Sequence, residues 1–317
     1  MTQDLSATER LSALAYTAAW RTVRWAPEPV ARRAFDALAD GLWQRRAGGV
    51  AMLEHNLAMV LGPDADRDEL RRVSRMGTRA YLQYWCDAFR LPSLSSDDIL
   101  SRVTVTGFER AEAAQAEGRG VVLALPHSGN WDLVGAWLAS THGRFTTVAE
   151  RLKPEDLHRR FVAYREGLGM EVLPLTGEAQ LFATLASRLR AGGIVCLLGD
   201  RDLGGRGQLV DFFGAQARMP AGPSALAVAT GAALLPVELW VEPGNGYHLQ
   251  ARVGEEIAVP ANGRRPEQIA VMTQTLADEF ARAIAARPQD WHMMQRMWVE
   301  SDATDARAHD GDEQAAS

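Results

Sequence analysis

The sequence predicts an α/β protein, with a mostly parallel central sheet flanked by helices and a helical region ahead of it. Three observations carry this. From about Val103 onward short apolar runs alternate with stretches of helical apolar spacing, whereas residues 8 to about 90 show helical spacing throughout. With 317 residues, 47% of them hydrophobic, the chain has ample material for a sizeable core. The expected organisation is a helical region over residues 1–100, an α/β core over 101–300, and a polar, acidic, disordered tail over 301–317.

The elements follow in order. Leu11, Leu14, Ala15, Ala18 and Ala19 share one helical face, Phe35, Leu38 and Leu42 another, and Pro27 and Pro29 separate the two helices. Gly120 to Leu125 reads as a buried strand broken by Pro126, with a helix from Trp131 to Ala139. Further strands fall at Phe145–Ala149, Glu171–Leu175 and Ile194–Leu198, with helices between them over 154–168 and 179–191. An extended piece near Leu209 to Gly214 interrupts the alternation, a strand follows at Tyr247–Val253, and the sheet is therefore expected to be mixed. A last amphipathic helix spans Pro266–Ala286.

Composition excludes several classes. Cys86 and Cys196 stand far apart within apolar elements, which argues against a disulfide framework or a thiolate metal site, and the histidines show no metal-ligand spacing. The start lacks a secretory signal, and the uncharged stretch Met219–Val237 is broken by Pro220, Pro223 and Pro236, so neither export nor a spanning helix is expected. A net charge of -6 without a basic stripe speaks against nucleic acid. Between Trp20 and Arg46, however, Arg21, Arg24, Arg32, Arg33, Arg45 and Arg46 interleave with Trp20, Trp25 and Trp43. That mixture suits either a membrane interface or helices packed on the main domain with a solvated charged face.

Three rims carry the candidate chemistry. His127 and Asp132 lie in the turn between the strand ending at Leu125 and the next helix, a place where open α/β sheets put their chemistry. A histidine there can act as a general base, with Asp132 as the carboxylate that orients it, while amides at the helix start are available for an oxyanion. HxxxxD alone is a weak pattern, and a structural histidine is the competing reading. Ser128 as a nucleophile is disfavoured, because a hydrolase elbow wants glycines where Pro126 and Asn130 stand. The second rim, Gly199-Asp200-Arg201-Asp202 to Gly207, brings two carboxylates and the guanidiniums of Arg201 and Arg206 to the same sheet edge, to bind phosphate and sugar hydroxyls or tune the histidine; the alternative is a solvated turn. The third carries Glu150 and Arg151, and Arg165 on the following helix points a cation at the pocket or forms a surface ion pair with Glu166 or Asp156. No Walker or dinucleotide motif is present.

Together, Pro126 to Asp132, Thr147 to Glu155, Val210-Asp211-Phe212-Phe213-Gly214, Thr230 to Pro236 and Asp290-Trp291-His292-Met293 resemble the actinobacterial phosphatidylinositol mannoside acyltransferases, within the lipid A biosynthesis and lysophospholipid acyltransferase superfamily. The resemblance implies a glycerolipid acyltransferase-like fold. It also implies transfer of a long acyl chain, typically palmitoyl, from acyl-CoA as donor substrate, with no resident cofactor or metal, to the 6-hydroxyl of mannose in a mono- or dimannoside. His127 is then the base and attack is direct, without an acyl-enzyme. Asp132 and Asp200 complete the catalytic set, and Glu150, Arg165, Arg201, Asp202, Arg206 and Thr230 bind substrate. The acyl chain is expected between the segment from Met219 to Thr230 and the N-terminal helices, and the protein on the cytoplasmic face of an anionic membrane, as a peripheral enzyme. The chain departs from the family at Gly199-Asp200-Arg201-Asp202, where relatives carry Ala-Glu-Arg-Asp, so the carboxylate is one methylene shorter. Arg206 stands where close relatives have a small hydroxyl residue.

Overall fold

A computed structural model describes residues 22–150, 155–202, 204–242 and 247–299. The predicted helix around Leu11 and Leu14, Trp20, Arg21, Arg151, and the tail from residue 301 lie outside the described residues. The helical region comprises α1 (Glu28–Gln44), α2 (Val50–Leu61) and α3 (Arg67–Arg90). Pro27 starts α1 with its fixed φ of -53°, and the Asp66 side chain accepts from the Glu69 amide to cap α3. The helices are tied to the rest of the molecule by buried polar contacts: the Asn56 amide of α2 donates to the carbonyls of Met293 and Gln295, each at 2.8 Å.

Next come α4 (Ser96–Arg102), β1 (Val103–Thr106), α5 (Glu109–Ala116), β2 (Val121–Leu125), α6 (Trp131–His142), β3 (Phe145–Ala149), α7 (Glu155–Gly167), β4 (Met170–Pro174), α8 (Glu178–Arg190) and β5 (Ile194–Leu198). The chain continues through β6 (Gln208–Phe212), β7 (Ala215–Met219), α9 (Gly222–Thr230), β8 (Ala233–Val241), β9 (Leu249–Val253) and α10 (Arg265–Ala286). Seven strands form one sheet in the order β1-β9-β8-β2-β5-β3-β4. Its neighbours run parallel except β8 and β9, so the expected mixed sheet is mostly parallel. The extended piece near Leu209 belongs to a separate antiparallel hairpin, β6-β7. The predicted strand from Tyr247 begins at Leu249.

Strand alternation sends side chains to two cores. Leu123 and Leu125 of β2 join Leu133, Leu138, Phe145 and Leu239 on one face, while Val122 and Ala124 join Val195, Leu234, Phe280 and Trp291 on the other. All of β2 is buried, which accounts for its unbroken apolar run. The feature that matters most for function is a register: Leu125 of β2 pairs with Leu198 of β5, and the Gly199 amide donates to the Leu125 carbonyl at 2.8 Å. Two residues beyond each partner stand His127 and Asp200.

Candidate active site

His127 and Asp200 meet at the C-terminal edge of the sheet. Nδ1 of His127 lies 2.5 Å from one oxygen of Asp200, and the His127 backbone amide donates to the other at 2.9 Å. The indole Nε1 of Trp291 donates to that second oxygen, also at 2.9 Å. Asp200 is fully buried. Burial pushes its carboxyl up, but His127, the Trp291 indole and the His127 amide together outweigh this and hold it below the usual carboxylate range. An ionised Asp200 fixes the tautomer with a proton on Nδ1, so the lone pair of His127 is on Nε2, and the ring lines an open groove. The aspartate carboxylate reaches His127 because the β2–β5 register sets the two loops side by side.

Asp132 does something else. It is the second residue of α6, and both of its oxygens are taken by other groups: Arg165 donates to them at 2.7 and 3.1 Å and the Tyr84 hydroxyl at 2.8 Å. This corrects the expectation that Asp132 orients His127. It also corrects the placing of Arg165 on the substrate rim, since its guanidinium is largely buried against Asp132. Burial alone lowers the Arg165 pKa, and Asp132 more than reverses it. The three side chains tie α3, α6 and α7 together behind the His127 turn.

The turn itself is held backbone to backbone. Gly129 has φ +60°, and a Cβ there would fall 2.9 Å from that of Leu239, so only glycine fits. Its amide donates to the Asp290 carbonyl at 3.0 Å, the His292 amide donates to the His127 carbonyl at 2.7 Å, and Ser128 forms a bridge with Trp291. Asn130 caps α6 by accepting from the Leu133 amide. The amides of His127, Ser128 and Gly129 are thus all spent on protein acceptors. Ser128 is buried.

The groove beside His127 has a volume of about 690 Å³. Glu150, Arg201, Asp202 and Arg206 line it together with an apolar wall that includes Leu181, Phe182, Leu185 and Leu226. Glu150 pairs with Arg201 at 2.5 Å, as a carboxylate and a guanidinium on facing rims. The sequence of the chain matches the family model described as bacterial lipid A biosynthesis acyltransferase over residues 2–300. The chain belongs to that family. It is 48% identical over 297 residues to a phosphatidylinositol mannoside acyltransferase of Mycolicibacterium smegmatis, covering 93% of each chain. It is also 48% identical over 308 residues to the protein of that name from Mycobacterium tuberculosis, covering 95% of this chain and 93% of the relative.

The remaining predicted residues of this acyltransferase divide between groove and scaffold. Asp202 lines the groove while its carboxylate takes the amides of Gly204 and Gly207, shaping the loop as a turn residue does. Arg206 is exposed and pairs with Glu178. Thr230 is not among the lining residues; its hydroxyl donates to the Leu226 carbonyl and accepts from the Ala232 amide at the end of α9, a local capping role that corrects its expected place in the substrate site. The apolar wall comes from α8 and α9; no described residue of α1 to α3 lines the groove, which corrects the expected contribution of the N-terminal helices. A second, apolar pocket of about 100 Å³ lies on the other face of the sheet, shares Val148, Leu197 and Leu198 with the groove, and is bounded by Trp131, Asp132 and Arg165.

Sequence reasoning assigned no role to Trp291 or Tyr84. Asp290-Trp291-His292-Met293 was a signal of resemblance only, and a tyrosine in the middle of an amphipathic helix carries no mark of the buried carboxylate it will meet.

Proposed function

We propose that the enzyme transfers a long acyl chain, palmitoyl in the reading that the resemblance implies, from acyl-CoA to the 6-hydroxyl of mannose in a phosphatidylinositol mono- or dimannoside. The observation that carries this is a histidine with one nitrogen locked on a buried carboxylate and the other free in a groove that is polar at one rim and apolar along its wall. The names of the relatives supply the acceptor class.

In this mechanism Nε2 of His127 takes the proton of the mannose hydroxyl as its oxygen attacks the thioester carbon. Asp200 stabilises the imidazolium so formed. Collapse of the tetrahedral intermediate breaks the carbon–sulfur bond, and the proton returns from His127 to the departing thiolate, giving the ester and free CoA. The paired Glu150 and Arg201, with Asp202 and Arg206, hold the polar parts of the two substrates. The acyl chain lies against Leu181, Phe182, Leu185 and Leu226.

The acceptor is an anionic lipid, which favours docking on the cytoplasmic membrane surface. No described helix is long and apolar enough to cross a membrane. Trp25, Val30 and Leu38 are exposed, with 82% of Trp25 in solvent, and Arg33 and Arg45 are exposed nearby in sequence. Trp43 is withdrawn from that role, because its indole donates to Ser74 and stacks under Arg71.

The test is incubation of purified protein, and of its His127→Ala variant, with radiolabelled palmitoyl-CoA and a panel of mannosides, lysophospholipids and lipid A precursors. Label on the mannoside with the unmodified protein alone is the expected result. Label only on another acceptor, or release of free palmitate without transfer, overturns the reading.

A further inference from the structure

Asp200 has three donors, and two of them come from His127 itself. The third is Trp291, which is completely buried and reaches Asp200 from a segment remote in sequence. That segment is also the one that clamps the His127 turn: Asp290 takes the Gly129 amide, Trp291 bridges to Ser128, and the His292 amide holds the His127 carbonyl. One stretch of three residues therefore fixes the base through its backbone and the orienting carboxylate through an indole.

We propose that Trp291 is a positioning residue of the acyl-transfer site, its indole N–H holding Asp200 in the one orientation that keeps the proton of His127 on Nδ1. The inference rests on the reading of His127 as the base. The physical argument is one of degrees of freedom. A carboxylate held only by His127 can turn with it, whereas a third donor from a separate element fixes it in the frame of the fold.

The indole also draws on the negative charge of Asp200. Without it the carboxylate is free to turn away from Nδ1, and the ring then divides between its two neutral tautomers. A residue with a merely structural role shifts stability and leaves that tautomer balance where it was. Trp298 is the matched control: its ring belongs to the same core and its indole donates to the Phe212 carbonyl at 2.9 Å, away from Asp200.

The experiment compares the full chain with Trp291→Phe and Trp298→Phe. Where Trp291→Phe folds poorly, site-specific replacement of Trp291 by benzothienylalanine removes the N–H and keeps the bicyclic ring. Two readouts are taken: kcat and KM of acyl transfer, and the ring 15N resonances of His127 in histidine-labelled protein, which distinguish a proton on Nδ1 from one on Nε2 and are assigned by their loss in His127→Ala. The expected result is a fall in kcat of about tenfold, the lower end for loss of an orienting outer partner, with KM for acyl-CoA unchanged and part of the His127 population moved to the Nε2–H tautomer. The Trp298 variant leaves both in place. A Trp291 variant that matches wild type in kcat and in the His127 tautomer overturns the proposal. The NMR arm keeps the two readings distinguishable, since it reports on the Trp291–Asp200–His127 chain even where no acyl transfer to mannoside is found.

Discussion

Two buried aspartates stand near His127, and their surroundings give them opposite work. Asp200 meets one imidazole, one indole and one amide, with the imidazole facing the groove; Asp132 meets one guanidinium and one phenol, both of them fixed between helices. In the proposed mechanism the first arrangement stabilises a proton as it arrives on a neighbour. The second is a closed ion pair whose charge is already neutralised, and its value lies in holding α3, α6 and α7 in register. The carboxylate close to the histidine in sequence is thus not the one bonded to it.

Removing the proposed base is expected to give the largest effect. His127→Ala is expected to lower kcat by about 10³-fold, within the range for loss of a general base, and to lower the melting temperature, because the buried Asp200 carboxylate loses its imidazole partner. Asp200→Asn keeps the shape but can present an amide N–H to Nδ1, favouring the wrong tautomer, and is expected to cost at least about 10²-fold. Steady-state kinetics with thermal melts checks both. Equal activity of Asp200→Asn and wild type contradicts the assignment of Asp200 as orienter.

The second aspartate breaks differently. Asp132→Ala leaves Arg165 buried without its counter-ion and Tyr84 without its acceptor, and is expected to destabilise the fold by about 3–5 kcal/mol. Asp132→Leu combined with Arg165→Met removes both charges and is expected to recover much of that loss. Denaturant titration measures the cycle. Should the double variant regain stability but not activity, the pair also acts on the reaction and the division of labour drawn here is too sharp.

Asp200→Glu is a subtler probe, since it keeps the charge and lengthens the stem by one methylene. Asp200 is fully enclosed among three donors, so an extra methylene is expected to cost about 1–3 kcal/mol of stability through overpacking and to reduce rather than raise kcat. A gain in kcat without loss of stability would mean that the pocket has spare room and that the short carboxylate is a defect rather than a matched part.

These contrasts also mark what the sequence could disclose. The alternation of strands and helices, the helical N-terminal region and the common edge shared by His127 and the Asp200 loop were legible, because each follows from local periodicity or turn chemistry. The choice between Asp132 and Asp200 was not. HxxxxD places two residues close along the chain, but a side chain on the second residue of a helix points where the helix turns it, and here that is toward Tyr84 and Arg165. Asp200 comes opposite His127 only through the pairing of Leu125 with Leu198, and strand order is a long-range property that no window of sequence contains. Trp291 was hidden for the same reason: its partner lies 91 residues away.

Beside the two partnered aspartates is a pair of titratable groups with no hydrogen-bond partner among the described residues on their buried atoms: both ring nitrogens of His292 and one oxygen of Asp290. Burial lowers the His292 pKa to about 3 and raises that of Asp290 to about 7, in each case favouring the neutral form. The signs oppose. Between about pH 3 and 6.5 the unfolded chain binds a proton at residue 292 that the folded chain refuses, so His292 contributes stability that is lost as pH falls. Between about pH 4 and 7 folded Asp290 holds a proton that the unfolded chain releases, so its contribution falls as pH rises. His292→Phe, seated among the rings of Tyr81, Tyr84 and Trp131, is therefore expected to make the protein relatively more stable at pH 5 than at pH 7.5, compared with wild type. Asp290→Asn is expected to do the reverse. Melting temperatures across that range check both variants, and curves that run parallel to wild type would mean that water partners these groups and keeps their pKa values ordinary, so that the partnered and unpartnered regions differ less than their geometry implies.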